Sequence, residues 1–282
     1  MKTKMLDHEQ ILKLLPDRPL DGHKGTFGKT LLLCGSRGYT GAAALAAMGA
    51  LRCGAGLVYL GVPESIYQIA AIKLTEPVVI PLPDLNGSFD QKTVEILPSL
   101  LNDKDAVLIG PGIGRSEGSF AVARAVLEQF HGTVIVDADG INVLQKHKDL
   151  LRGRTSPTIV TPHEGEFRRI GGNITDNRVL AAVELANELG VIVLLKGHRT
   201  IITDGNLCYE NETGNPGMAT GGSGDVLAGM ITALVGQGIP ALEAAACGAW
   251  LHGAAGDICA KEIGQYGMLP TDMLRILPRL LK

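Results

Sequence analysis

The sharpest chemical signal in the chain is the run GNPGMATGGSGDVLAGM at 214–230. A glycine-rich loop there leads into an apolar segment of helical period that is expected to begin near Asp225. The N–H groups of Gly222, Ser223 and Gly224 would then be free at a helix N-terminus, where unpaired amides and the helix dipole make an anion site. Glycine lets the backbone approach phosphate oxygens with no Cβ in the way. Asp225 stands beside that anion site, a place suited to proton transfer or to orienting a nucleophile; as an N-cap it would serve structure alone. The G-K-[ST] ending of a Walker A loop is missing.

Further polar and glycine-rich knots follow apolar runs: CGSRGYTG, GPGIG (110–114), DADGIN (137–142), TPHEGE (161–166) and KGHRT (196–200). Asp137 and Asp139 are candidates for holding Mg²⁺ through water, with Glu166 a further water-mediated candidate; the structural alternative is a turn in which Asn142 caps the next helix. His163 is either a catalytic or a structural loop histidine, and Glu164 and Glu166 suit the first turn of a helix. Lys196 follows VIVLL and either reaches a phosphate or lies on the surface. His23, Lys24 and Gly25 line a mouth or form an exposed loop. HGAAGD (252–257) reads as close packing between helices.

Positioning these residues requires an ordered frame. Strand-like runs fall at LLLC (31–34), GLVYLGV (56–62), PVVIPL (77–82), AVLIG (106–110), TVIVDAD (133–139), TIVTP (158–162) and VIVLLKG (191–197). Helical patterns fall between several of them, including 41–56 and 117–130. Continuously apolar strands are expected for parallel strands covered on both faces, so the pattern indicates a doubly wound, mostly parallel α/β sheet. RTIITD and NLCYE, split by Asp204-Gly205, predict an antiparallel hairpin, and 222–282 predicts three helices. A single domain over 1–282 is expected. In such a sheet ligands bind beyond the carboxyl ends of the strands, and five chemically unusual strand ends should emerge on one edge.

Composition narrows the class. Glycine supplies 37 of 282 residues, nearly twice the usual ~7%. With 45% hydrophobic and 20% charged residues the chain has material for a core and is not disordered. A formal charge of −3 and the absence of a long basic run argue against a nucleic-acid partner. The apolar stretch 40–61 is interrupted by Arg52 and several glycines, so no membrane span is expected. The five scattered cysteines read as buried thiols in a reducing cytoplasm.

Taken in order, HKGTFGKTLLLCGSRGYTGAAALAAMGALRCGAGLV, IGPGIG, VDADGIN, TPHEGEF, LLKGHRT and GNPGMATGGSGDVLAGMI resemble the ADP/ATP-dependent NAD(P)H-hydrate dehydratases, a ribokinase-like branch. The resemblance runs from His23 to the C-terminus and leaves nothing over for the epimerase domain sometimes fused to such enzymes. It implies repair of hydrated NADH or NADPH with ADP or ATP as co-substrate and Mg²⁺ as cofactor. It implies Asp225 as catalytic base and Lys196, Gly197, His198, Arg199, Thr200, Gly222, Ser223 and Gly224 around the nucleotide. It implies Ala43 (or its neighbour Ala42), Gly112 or Gly114, His163 and Asp225 around the hydrate, and a homotetramer. The related motif usually reads T-P-H-P-G-E; here Glu164 replaces the second proline, which gives a looser turn and an added negative charge. The alternative is a ribokinase-like kinase of a vitamin-precursor alcohol, and a catalytically silent nucleotide-binding protein is a further possibility.

Overall fold

The computed structural model describes residues 3–174 and 176–282. Among the described residues the strands are β1 (Lys29–Leu33), β2 (Leu57–Pro63), β3 (Val78–Leu82), β4 (Asp84–Leu85), β5 (Ser88–Phe89), β6 (Ala106–Ile109), β7 (Thr133–Val136), β8 (Thr158–Val160), β9 (Ile192–Leu195), β10 (Thr200–Thr203) and β11 (Cys208–Asn211). Nine of them form one sheet in the order β11-β10-β9-β8-β7-β6-β1-β2-β3, while β4 and β5 make a separate small ribbon. Every pairing from β9 across to β3 is parallel. The hairpin β10–β11 is antiparallel and closes one edge, as its Asp-Gly turn predicts.

The helices are α1 (His8–Leu14), α2 (Thr40–Arg52), α3 (Glu64–Lys73), α4 (Thr93–Leu101), α5 (Glu117–Gln129), α6 (Asp139–Leu144), α7 (Asp149–Arg152), α8 (Glu164–Arg169), α9 (Arg178–Leu189), α10 (Ser223–Gly236), α11 (Ala241–Glu262) and α12 (Pro270–Leu280). They cover both faces of the sheet. Leu32 and Leu108 point into one core with α2, α10 and α11, while Leu31, Leu33, Val107 and Ile109 point into the other with α5 and α9. Both faces of each central strand are therefore apolar, which is why these strands read as unbroken hydrophobic runs.

Three expected boundaries shift. The helix placed at 41–56 ends at Arg52, because Gly54 takes a left-handed φ of 97° and turns the chain into β2. β7 stops at Val136, so Asp137 and Asp139 lie beyond the strand rather than within it. Helix α10 begins at Ser223, two residues before Asp225.

The best-packed pair of helices is α2 against α10, and glycine makes the contact possible. A Cβ on Gly229 would collide with the Ala46 carbonyl, and one on Gly49 would collide with the Val226 carbonyl. The two backbones meet directly, and this fixes the axis of the helix that carries the anion-site loop at its start. Gly229→Ala should lower stability by at least about 2 kcal/mol, since neither backbone can retreat through a close-packed core. Gly41→Ala, at a helical position where a Cβ meets open space, should leave stability unchanged or higher. Thermal unfolding of the two variants checks the contrast.

Candidate active site

Strands β9, β8, β7, β6 and β1 are consecutive neighbours in the sheet, and they are the five whose ends carry the polar and glycine knots. Being parallel, they bring those ends to one edge. The chain runs outward from β1 through β2 to β3, and then the other way from β6 to β9, so the order reverses between β1 and β6. At that reversal the loops after both strands are tied together. Ser36 Oγ donates to the Gly112 carbonyl at 2.7 Å, and the Gly35 amide donates to the Pro111 carbonyl at 2.8 Å. Gly110 must lack a side chain, because a Cβ would run into the Asp137 carbonyl. The Gly114 amide donates to Asp139 Oδ2 at 3.1 Å. Ala43 is fully buried, whereas Ala42 is partly exposed with its Cβ toward Gly112. Of the two alanines, Ala42 is the one whose side chain faces this loop.

Beside it lies a cluster of charges. Asp137 is 1% exposed, and its Oδ1 accepts from Thr161 Oγ1 at 2.7 Å and from Lys196 Nζ at 2.8 Å. Lys196 Nζ also lies 3.8 Å from Glu166 Oε2. Lys196 is therefore not a surface lysine. Burial works against its charge, but Asp137 and Glu166 outweigh that and its pKa is raised. Ala138, between the two aspartates, is held at φ 49°, a strained conformation for a residue with a side chain. Asn142 does not cap α6; it sits inside that helix, and its Nδ2 donates to Asp139 Oδ1 at 3.2 Å.

Asp225 is the third residue of α10 and not its N-cap; Gly222 holds that place with φ 97°, a conformation that favours glycine. The capping alternative for Asp225 thus falls. Burial pushes its pKa up, the carboxylates of Asp137, Asp139 and Glu166 push it further, and Lys196 only partly offsets them, giving about 7. A carboxylate in that range is tuned for proton transfer near neutral pH. The amide of Ser223 is not free, because it donates to the Thr220 carbonyl at 3.3 Å. The Gly224 amide has no hydrogen bond among the described residues, and a Cβ there would approach Lys196 Nζ to 3.4 Å.

His163 caps α8. Its Nδ1 accepts from the Gly165 amide at 2.9 Å and the Glu166 amide at 3.3 Å, while Glu166 Oε2 accepts from the His163 amide at 2.9 Å. This reciprocal cap makes Nδ1 an acceptor and leaves Nε2, 3.4 Å from Glu166 Oε1, as the ring's donor, with the ring about half exposed. Glu164 is the first residue of α8, where acids favour the helix dipole and where a proline would also fit.

A cavity of about 970 Å³ opens on this side, lined by His163, Glu164, Lys196, Gly197, His198, Arg199, Thr200, Ser223 and Gly224 together with the 211–220 segment. That volume suits a nucleotide-sized ligand. Gly222, Ala43, Gly112, Gly114 and Asp225 are outside its lining. Sequence reasoning missed the part played by HGAAGD. Its glycines do pack closely, Gly253 against Thr213 and Gly256 against Met218. Its polar ends, however, tie down the loop before α10. Buried His252 lies 3.3 Å from Ser223 Oγ, and Asp257 accepts from the Gly214 amide at 2.9 Å and Asn215 Nδ2 at 3.0 Å. Burial drops the His252 pKa to about 4, so the ring is neutral. The available signal was a histidine and an aspartate inside an otherwise Ala/Gly-rich helix.

The chain matches, over residues 30–279, the family model described as NAD(P)H-hydrate dehydratase. It is 42% identical, over 95% of its length, to a bifunctional NAD(P)H-hydrate repair enzyme of Moorella thermoacetica, of which it covers 52%. The chain spans about half the length of such bifunctional relatives. An ADP-dependent (S)-NAD(P)H-hydrate dehydratase of Neisseria meningitidis is 35% identical over 88% of this chain and 82% of the relative. Among solved structures, an ADP/ATP-dependent NAD(P)H-hydrate dehydratase of Bacillus subtilis, co-crystallised with ATP/Mg²⁺, superposes with a TM-score of 0.83 at 30% identity, covering 99% of this chain and 98% of that one.

The electrostatics of Asp225 can be read in stability. Its folded pKa of about 7 lies above the ordinary 3.8, so the folded state binds the extra proton between those values. The stability tied to that proton is complete at acidic pH and is lost as pH rises through about 7. Asp225→Asn should therefore raise the thermal midpoint at pH 8 by roughly 3–6 °C, after discounting for the group's partial exposure, and change it little at pH 4. Melting curves of both proteins at the two pH values test this.

Proposed function

The chain belongs to the NAD(P)H-hydrate dehydratase family, on a ribokinase-like fold, and we propose that it repairs hydrated NADH and NADPH with ADP or ATP as phosphoryl donor. The observation that carries the reading is Asp225: a carboxylate raised to about 7, one residue beyond a loop amide that is free to meet phosphate. Hydroxide is a poor leaving group, and phosphorylation converts it into a good one. Asp225 takes the proton of the hydrate hydroxyl as its oxygen attacks the terminal phosphorus of the nucleotide. The Gly224 amide at the α10 N-terminus stabilises charge on the transferring group. The ring nitrogen then pushes out inorganic phosphate, a proton leaves the neighbouring carbon, and the double bond returns. With ADP the other product is AMP.

The nucleotide is assigned to the cavity, against Lys196, Gly197, His198, Arg199, Thr200, Ser223 and Gly224, with Gly222 behind them. The hydrate is assigned to the β1/β6 reversal, with Ala42 in preference to Ala43, Gly112 or Gly114, His163 and Asp225. Among the described residues no three carboxylate, imidazole or thiolate groups gather closely enough to hold a metal ion. Asp137 Oδ2 nevertheless lies toward Gly224 while Oδ1 is taken by Thr161 and Lys196, so it fits Mg²⁺ held through water, with Glu166 close by. Bound there, Mg²⁺ would neutralise charge on the nucleotide phosphates.

A single domain over 1–282 and a cytoplasmic place complete the reading; five buried, unpaired cysteines suit a reducing compartment. No helix among the described residues is long and apolar enough to cross a membrane. Exposed Ile69 and Ile72 on α3 and Val78 on edge strand β3 suit a subunit contact in a homotetramer.

Purified protein given hydrated NADH, Mg²⁺ and ADP or ATP should regain reduced-nicotinamide absorbance and release inorganic phosphate. No recovery with either nucleotide, or a stable phosphomonoester product, would sink the proposal. Asp225→Asn should lower turnover by about 10²–10⁴-fold while nucleotide binding persists, and wild-type turnover should climb with pH through about 7.

A further inference from the structure

The turn at 196–198 borders the cavity, yet what holds it comes from α9, an element that contributes nothing to the cavity lining. Arg178, the first residue of α9, donates from one terminal nitrogen to the His198 carbonyl at 2.6 Å and from the other to the Lys196 carbonyl at 3.0 Å. Gly197 lies against the same guanidinium; a Cβ on it would stand 2.7 Å from the nearer terminal nitrogen. Turning two carbonyls toward Arg178 has a geometric consequence. In a trans peptide the following N–H points the opposite way, so the amides of Gly197 and Arg199 face away from α9. Neither makes a hydrogen bond among the described residues, and both residues line the cavity.

The third nitrogen of the fork leads back to Glu164. Arg178 Nε is buried without a hydrogen-bond partner among the described residues, and Glu164 Oε1 stands 3.7 Å from it. The other Glu164 oxygen lies 3.5 Å from Arg168. Glu164 thus occupies the place of the usual proline, suits the helix start as proline would, and adds a charge facing Arg178 that proline cannot supply.

We propose that Arg178 is the positioning residue for nucleotide binding: its fork holds the 196–198 turn so that the Gly197 and Arg199 amides are presented to a nucleoside diphosphate, and Glu164 fixes the guanidinium. The inference rests on the nucleotide-dependent reading above. A lysine cannot reproduce the grip, because one ammonium on a flexible stem does not span two carbonyls set by a planar fork.

Calorimetric binding of ADP to the full chain tests it, with NADPH as the probe of the other site. Arg178→Lys should weaken ADP about 10-fold, and Glu164→Pro, which keeps the helix start, about threefold. NADPH affinity should stay within about twofold of wild type in both variants, and hydrogen exchange at the Gly197 and Arg199 amides should accelerate in Arg178→Lys. Unchanged ADP affinity in both variants would overturn the inference. So would parallel loss of ADP and NADPH affinity, which would make Arg178 a general scaffold residue. A wild-type chain that binds NADPH but no ADP would instead refute the nucleotide-dependent function, and this inference with it.

Discussion

One ammonium among three carboxylates sets the terms for the rest of the site. Lys196 Nζ contacts Asp137 directly and lies near Glu166, and Asp225 also acts on its charge, while Asp139 is paired with Arg115 at 3.3 Å. Each partner comes from a different part of the sheet edge: Asp137 after β7, Glu166 on α8 after β8, Lys196 after β9. The backbone helps to set this meeting, since the Lys196 amide donates to the Pro162 carbonyl and the Asp137 amide to the Ile109 carbonyl. A buried ion pair of this kind adds little net stability, because desolvation offsets the attraction. Its effect here is chemical. Asp225 keeps a proton far above the ordinary carboxylate range, first because burial disfavours its charge and then because the carboxylates of Asp137, Asp139 and Glu166 add more to that than Lys196 removes.

The arrangement was readable in the sequence to an unequal degree. Continuous apolar runs announced parallel strands, and glycine or aspartate after each one marked the edge where ligands sit. That reasoning placed Asp137, His163 and Lys196 on one edge, where the structure has them, while Asp225 reaches the same cluster on α10. Periodicity could not give the start of α10, because the apolar period only becomes visible after Asp225, whereas the helix is opened by the left-handed Gly222. It could not tell Ala42 from Ala43, since one step along a helix separates an exposed from a buried side chain. Nor could it find Arg178 or His252. Each acts on a segment distant in the chain, Arg178 on 196–198 and His252 on Ser223; Arg178 sits in no recognisable run, and the HGAAGD run that holds His252 read as packing alone.

Two loops build the cavity wall by different means. The segment before α10 is tied from behind by His252 and Asp257 of one helix, whose burial keeps His252 neutral. A neutral imidazole adds no charge beside the unpaired Gly224 amide. The 196–198 turn is tied by a cation instead, and that cation faces away from the cavity toward backbone carbonyls. Positive charge is thereby spent on geometry. Arg199, also at the cavity, is occupied by Glu210 at 2.5 Å and Glu212 at 2.6 Å. Beyond the Lys196 ammonium, attraction for a polyanionic ligand would rest on backbone amides, which suits a chain with 37 glycines and only 4% aromatic residues.

The interlocked backbones of α2 and α10 restrict how this edge of the sheet can move. With Gly229 seated on the Ala46 carbonyl and Gly49 on the Val226 carbonyl, α10 can neither slide along α2 nor roll against it. The Gly224 amide and the Asp225 carboxylate travel with that helix, so their separation is a fixed length for any ligand that enters. The walls around them are separate segments, the 196–200 turn and the 214–220 stretch, each anchored by its own element rather than by α10.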